Sequence, residues 1–152
     1  MNKVVLAIIA FLILGGIGVY WIMAKQAPQR TNHSMTPPGN GDLAERAPIV
    51  AVSLPADLSP DAQTGKRVFD AKCAVCHGTD AAGQNGVAPP LVHKIYEPNH
   101  HSDMAFIAAA RNGVRAHHWN FGDMPPVKGL TNANMKSIAR YVRELQRENG
   151  IF

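Results

Sequence analysis

A short run in the middle of the chain, residues 73–77, reads C-A-V-C-H and contains both cysteines of the 152-residue protein. Two cysteines three positions apart, followed at once by a histidine, form the pattern by which haem c is attached to a polypeptide. The thiols of Cys73 and Cys76 would add across the two vinyl groups of the haem, and His77 would place its imidazole under the iron. The motif therefore predicts one covalent haem c, with His77 as an iron ligand.

Three other interpretations of the motif are weaker. A thioredoxin-like dithiol also uses C-x-x-C, but within a βαβ sequence context that is absent here. A zinc site needs four ligands, and the sequence has no second C-x-x-C and no closely spaced histidine pair at a suitable distance. The third interpretation is that the motif occurs by chance, because short motifs do arise by accident. The motif alone leaves this interpretation open.

Residues 4–23 are uncharged and mostly apolar, with Lys3 before them and Lys25 after. A helix of this length spans about 30 Å, the thickness of the hydrocarbon core of a membrane. Residues 1–25 are therefore predicted to be a transmembrane anchor. A cleavable signal peptide is the alternative, but its apolar region should run only about 7–15 residues and end at a small-x-small site, which is poor here. Because haem c is attached outside the cytoplasm, we expect a single-pass protein whose haem domain lies on the outer side of its membrane, which in a bacterium is the periplasmic side of the inner membrane.

Residues 26–58 have the composition of a flexible linker, with five prolines, the Gly39-Asn40-Gly41 cluster and few aromatic residues. One apolar patch within it, residues 49–52, could lie along a folded domain. The net charge of the chain is +4, which is too mild to indicate nucleic-acid binding. The remaining residues, 59–152, are predicted to be the functional domain.

Three stretches of this domain have the caps and the apolar spacing of helices. The first begins at Ser59, followed by a proline at the first helical position, and extends to about residue 73. The second covers about residues 103–112, and the third runs from its cap at Thr131 to residue 150. The stretches between them are long and rich in glycine and proline, so we expect the haem to fill the middle of the domain. Met104 and Met135 lie at helical spacing and are expected in the core.

Five segments occur in an order and spacing that go beyond any single motif: Gly65–Phe69, Cys73–Gly78, Ala88–Leu91, Gly122–Pro126, and Leu130-Thr131 leading to Ile138–Val142. In these segments the chain from residue 59 to 150 resembles the class I, mitochondrial-like monohaem cytochromes c, and especially their membrane-anchored bacterial relatives. The resemblance implies an all-α fold in which the first and last helices cross beside the haem. It also implies that the carbonyl of Pro89, or failing that of Pro90, accepts a hydrogen bond from Nδ1 of His77.

The helix crossing can also be argued from one glycine. Gly65 inside a helix costs about 1 kcal/mol relative to alanine, and close approach of another backbone or ring would explain it. Tyr141 on the last helix is the candidate for that contact, with Phe69 packing beside it. The alternative is that Gly65 is merely tolerated.

Met124 is the predicted sixth ligand of the iron. It lies in the sequence Gly-Asp-Met-Pro-Pro, which cannot continue as a helix beyond the methionine, so an irregular loop could carry its thioether across the haem. A His/Met pair raises the reduction potential relative to two histidines. The alternative ligands are the five histidines that follow the motif; we interpret these as surface or loop residues, some near a haem propionate or able to hold a metal adventitiously: His93, His100, His101, His117 and His118.

With both axial positions filled, the sequence predicts an electron carrier rather than an enzyme, whose iron cycles between the ferrous and ferric states. Its partners would be redox proteins, an unknown donor and an unknown acceptor, and the membrane through its N-terminal helix. One alternative is a fixed haem c subunit of a larger oxidase or dehydrogenase complex. The other is a peroxide- or gas-reactive haem protein in which Met124 leaves the iron.

Overall fold

A computed structural model gives the structure of the chain. The residues it describes are 2–5, 11–13, 15–18, 20, 37 and 39–152. The chain divides into two compact units, Met1–Asn32 and His33–Phe152. In the first unit, residues 3–5, 11–13, 15–18 and 20 are helical, and the rest of the predicted anchor lies outside the described residues, as does the predicted linker up to residue 36. Among the described residues, no helix is both long enough and apolar enough to cross a membrane.

The second unit is helical, and the α-helices within residues 39–152 are α1 Pro60–Lys72, α2 Ala74–His77, α3 Asp103–Asn112 and α4 Asn132–Glu148. Two short 3₁₀ turns, Thr79–Ala81 and Lys94–Tyr96, lie between α2 and α3. From residue 39 onward there is no β-strand, only two isolated bridges. The all-α prediction is therefore confirmed for this domain.

The helices begin where their caps predict. The Ser59 hydroxyl accepts a hydrogen bond from the backbone of Ala62, and Pro60 occupies the first position of α1. At the start of α4, Thr131 and Asn134 exchange side-chain and backbone hydrogen bonds in a capping box. Helix α4 ends at Glu148 with Asn149 as its C-cap, so Gly150, at which the sequence predicts the helix to stop, lies just beyond its end.

Helices α1 and α4 cross in close contact at Gly65. A β-carbon on Gly65 would lie 1.9 Å from the backbone oxygen of Ser137, so only glycine allows the two helices to approach this closely. The expected close approach is confirmed, but its partner is the Ser137 backbone and not the Tyr141 ring. Tyr141 packs instead against Phe69, one turn further along α1, with ring centroids 5.6 Å apart.

The two methionines predicted to lie in the core differ. Met135 on α4 is buried, at 5 % exposure. Met104 is 62 % exposed, so the prediction for Met104 was wrong. Helix α3 instead buries Ile107 and packs Phe106 against the core.

Residues 40–53 lie against the helical domain. The Asn40 side chain donates to the side chain of Asn85 at 2.7 Å. Backbone N–H groups of Ile49 and Val50 both donate to the carbonyl of Ala82. Ser53 closes this segment, since its N–H donates to the Asn149 side chain at 2.9 Å. The apolar patch at residues 49–52 thus contacts the domain, as anticipated, while the boundary at residue 58 stays a prediction.

Candidate functional site: a haem-binding pocket

The C-x-x-C-H motif lies at the junction of α1 and α2. The Cys73 N–H ends α1 with a hydrogen bond to the Phe69 carbonyl, and the Cys73 carbonyl then accepts from both Cys76 and His77. One tight turn therefore presents both thiols and the imidazole. The Cys73 thiol is half-buried and the Cys76 thiol is exposed. Burial, with a smaller contribution from Cys76, raises the pKa of the Cys73 thiol to about 11.

His77 is fixed by a single hydrogen bond. Its side chain is 8 % exposed, and its Nδ1 lies 2.9 Å from the carbonyl oxygen of Pro89. Because a carbonyl only accepts, Nδ1 carries the proton and Nε2 keeps its lone pair. Burial lowers the pKa of His77, although the Pro89 carbonyl opposes this, so the ring is a neutral donor at neutral pH. This is the arrangement of a histidine that ligates a metal through Nε2.

The Pro89 carbonyl is held in place by the turn around it. The Gly83 N–H donates to the His77 carbonyl at 2.7 Å, and the Leu91 N–H donates to the Ala81 carbonyl at 2.9 Å. Gly83 has a φ of +76°, and a β-carbon there would lie 2.5 Å from the Pro90 nitrogen. The turn therefore requires a glycine at this position to bring the Pro89 carbonyl to His77.

Met124 lies in a separate loop whose backbone is fixed. Its N–H and carbonyl each form a 2.9 Å hydrogen bond with Val114, on the stretch that follows α3. Gly113 permits this pairing, because a β-carbon there would lie 2.5 Å from the Met124 oxygen. Asp123 adds a hydrogen bond from the Ala116 N–H at 2.8 Å. The Met124 side chain itself is half-buried.

Trp119 is the buried aromatic residue of this loop. It is 7 % exposed, and its Nε1–H makes no well-formed hydrogen bond among the described residues, although the Tyr96 hydroxyl lies close to it. The ring stacks on Phe121 and meets the edge of the His93 ring. A buried N–H without an acceptor is costly, so its presence indicates a missing polar group. A haem propionate is such a group, and the donor set of two thiols, a neutral imidazole and a thioether also fits haem c.

The five histidines after the motif separate into two locations. His93 lies beside Trp119, where its Nδ1 accepts from the Ile95 N–H at 3.2 Å and burial lowers its pKa. The other four, which share a second location on two loops, are His100, His101, His117 and His118.

A buried polar network on α4 could not be identified from the sequence. Arg143, 5 % exposed, donates to Asp103 at 2.7 Å and to the carbonyls of Tyr96 and His101. Gln146 donates to the carbonyls of Leu91 and Tyr96. These side chains fix the loop between α2 and α3 against α4. One feature of the sequence could have indicated this network: Arg143 and Gln146 lie on the apolar stripe of α4, where polar side chains need buried partners.

These features define a small all-α domain in which one tight turn presents two thiols and a buried imidazole. The cytochrome c family model matches residues 62–146, which is more than half of the chain. The chain therefore belongs to the cytochrome c family, and it carries covalently bound haem c.

Two curated relatives are similar to most of the chain. The cbb3-type cytochrome c oxidase subunit CcoP of Azospirillum brasilense is 36 % identical over 112 residues, which cover 69 % of this chain and 35 % of that protein. The same subunit of Rubrivivax gelatinosus is 34 % identical over 112 residues, covering 67 % and 34 %. The chain thus spans about a third of the length of these relatives. No solved structure gave a significant match.

Proposed function

We propose that the protein is a one-electron carrier whose haem is bonded to Cys73 and Cys76 and ligated by His77 and Met124. The observation that carries this proposal is the His77–Pro89 hydrogen bond, which leaves Nε2 of a buried, neutral imidazole free for iron. The haem, when bound, supplies an iron that alternates between two oxidation states. The chain would supply the ligands and the burial.

Met124, as the proposed sixth ligand, favours electron transfer as the function of the haem. The paired hydrogen bonds to Val114 support a fixed position for the Met124 backbone, as a permanent ligand requires. A thioether is a soft, neutral donor that favours ferrous iron, so it raises the reduction potential. With both axial positions filled, oxygen and peroxide have no open site, which favours electron transfer over haem catalysis.

Replacement of Met124 tests this assignment. Met124→Ala should abolish the weak near-infrared sulfur-to-iron band of the ferric protein, lower the potential and open the ferrous iron to carbon monoxide. Met124→His should restore six-coordination while the potential stays low. Met104→Leu is the matched control, since Met104 is exposed and should leave the spectrum unchanged.

The opposite results would replace the assignment. If Met104→Leu removed the band and Met124→Ala kept it, Met124 would not be the ligand. If the unaltered ferric protein lacked the band and neither variant changed its spectrum, a downstream histidine would be the ligand and the low-potential alternative would hold. If the unaltered ferrous protein already bound carbon monoxide, the gas- or peroxide-reactive alternative would hold instead.

The finer organisation that we propose is an anchor at residues 1–25, a linker at 26–58 and a cytochrome domain at 59–152. The uncharged run at residues 4–23 supports a single crossing of the inner membrane, with the haem on the periplasmic side. Carbonate-washed membranes should therefore retain the covalent haem stain. A mature N-terminus at Lys25 in the native protein would show instead that the segment is a signal peptide.

A fixed role in an oxidase complex is the second candidate, and the similarity to two cbb3-type oxidase subunits favours it. The two roles differ in how firmly the protein is bound. Purification in mild detergent should yield the protein alone if it is a mobile carrier. Stoichiometric recovery together with oxidase subunits would show that it is a fixed component.

A further inference from the structure

Four histidine rings from two separate loops meet beside α3, and the proposed electron transfer uses none of them. The rings, which we call the histidine cluster, belong to His100, His101, His117 and His118. Nε2 of His100 lies 3.2 Å from Nε2 of His118. The potential ligand atoms of His100, His101 and His118 all lie within 4.8 Å of one another.

The fold holds these rings with their donor atoms directed toward each other. His101 Nδ1 donates to the Ile95 carbonyl at 2.8 Å, which leaves its Nε2 free. The backbone N–H groups of His100 and His101 both donate to the Glu97 carbonyl, which fixes the turn that carries them. On the other loop, His117 Nδ1 donates to the Arg115 carbonyl at 2.9 Å. Backbone carbonyls behind ring nitrogens are the usual supports of metal-ligating histidines.

The spacing of one pair of donors, on His100 and His118, matches the spacing in a metal complex. Two nitrogen ligands 2.0–2.1 Å from a tetrahedral zinc ion lie about 3.3–3.4 Å from each other. The 3.2 Å separation of the His100 and His118 nitrogens is close to this value. In the absence of an ion, two imidazole nitrogens at this distance share one proton, and an ion would replace that proton.

We propose that His100, His101 and His118 form a second metal site, separate from the haem, for a divalent ion of the Zn²⁺ or Cu²⁺ class. Three neutral imidazoles suit these ions, whereas Mg²⁺ and Ca²⁺ prefer oxygen ligands. The fourth position is left to water or to the neighbouring His117. The ion would link the loop that follows the 3₁₀ turn Lys94–Tyr96 to the loop that carries Trp119.

The charge of Arg143, which contacts the backbone of His101, does not oppose the site directly. Arg143 donates to the carbonyl of His101 and not to its ring, and its own charge is paired with Asp103 at 2.7 Å. This ion pair reduces the repulsion that Arg143 would exert on a bound cation.

Equilibrium dialysis of the full-length holoprotein against Zn²⁺, in detergent and without a histidine tag, tests the site. The protein should bind one equivalent, and His100→Gln with His118→Gln should weaken the affinity by more than the 10–100-fold that loss of an outer-shell partner costs. His93→Gln is the matched control, because His93 lies outside the cluster and contacts Trp119. Its affinity for Zn²⁺ should equal that of the unaltered protein.

Two further measurements keep the result interpretable. An unchanged haem spectrum in the double variant shows that the domain is folded. If the double variant does not fold, the two single variants are measured in its place. Cu²⁺ bound to the ferric protein should show nitrogen hyperfine splitting that the double variant lacks. Equal Zn²⁺ affinity in the folded double variant, or a loss of affinity with His93→Gln alone, would overturn the proposal.

Discussion

The His77 side and the Met124 side of the haem pocket are built in different ways. On the His77 side, residues 73–91, the imidazole is buried and its Nδ1–H already has an acceptor in Pro89. On the Met124 side, residues 113–126, the backbone is paired with Val114 but the thioether is half-buried. The buried N–H of Trp119 on that side makes no well-formed hydrogen bond among the described residues. The first half is complete as protein, whereas the second, under the proposed ligation, is completed by the haem.

This difference follows from what each side packs against. Residues 73–91 follow α1 directly, and α1 is joined to α4 through the Gly65 crossing. Residues 113–126 lie between α3 and α4 as an irregular loop, whose backbone is fixed where Val114 pairs with Met124. We expect the packing of its side chains, and with it the stability of the whole domain, to depend on the haem.

Removal of the covalent attachment tests this dependence and should have the largest effect. In Cys73→Ser with Cys76→Ser, the Met124 side loses its packing partner, so we expect an apoprotein that is largely unfolded. Far-ultraviolet circular dichroism should show a large loss of helix, and no haem should remain after denaturing electrophoresis. Helix content near that of the holoprotein would show that the protein alone forms a core.

The helix crossing that supports the His77 side provides the second test. In Gly65→Ala the new β-carbon would overlap the Ser137 carbonyl, a backbone atom that cannot rotate away, so the helices must separate. Overpacking of this kind costs about 3 kcal/mol, more than the helix propensity gained by alanine. Denaturant unfolding of the holoprotein measures this loss. Arg67→Ala, at an exposed position on the same helix, should change the free energy of unfolding by less than about 0.5 kcal/mol.

The parts of this fold that could be predicted have local causes. The starts of α1 and α4 depend on Ser59 and Thr131, whose side chains act on the next few residues. Gly65 was informative because glycine destabilises the interior of a helix unless a close contact requires it. Here the contact is with the backbone of Ser137. The C-x-x-C-H motif likewise carries its chemistry within five residues, as the cytochrome c family match reflects.

The parts that could not be predicted depend on distant contacts. Met104 lies on a short helix with apolar residues at most positions, so its spacing did not reveal which face is exposed. Residues 40–53 have a linker composition, yet backbone bonds such as Ile49 to Ala82 fix them, and backbone bonds leave no mark on composition. The histidine pairs were visible in the sequence, but only the fold brings His100 to His118.

Trp119 provides the third test, on the Met124 side. If a haem propionate accepts its Nε1–H, Trp119→Phe loses a hydrogen bond to a charged group, which costs about 2 kcal/mol. The Tyr96 hydroxyl is the protein group close enough to compete for this N–H. Tyr96→Phe is therefore the matched control and should have a smaller effect on the free energy of unfolding. Equal losses in the two variants would show that the partner is Tyr96 and that this side, too, is complete without the haem.

The smallest effect is expected at Glu144, which fastens the start of α1 to α4. Its carboxylate accepts from the backbone and the hydroxyl of Ser59, at 3.0 and 2.7 Å, and from Arg140 at 2.9 Å. Burial alone would raise the pKa of Glu144, but these hydrogen bonds and the charge of Arg140 outweigh it, so the pKa lies below its usual 4.5.

A carboxyl with a lowered pKa in the folded state stabilises the protein at pH values above its unfolded pKa, and the stabilisation is lost as the pH falls through the folded value. Glu144→Gln should therefore cost about 1 kcal/mol at pH 7, and the difference from the unaltered protein should shrink below about pH 4.5. Denaturant unfolding at several pH values measures the difference. Glu148→Gln, exposed in the next turn of α4, is the matched control and should not reduce the free energy of unfolding at pH 7. A loss at Glu144 that stayed constant down to pH 3 would mean that the side chain acts by its shape and not by its charge. In that case the contact between the start of α1 and α4, which supports the His77 side, would depend on packing and not on charge.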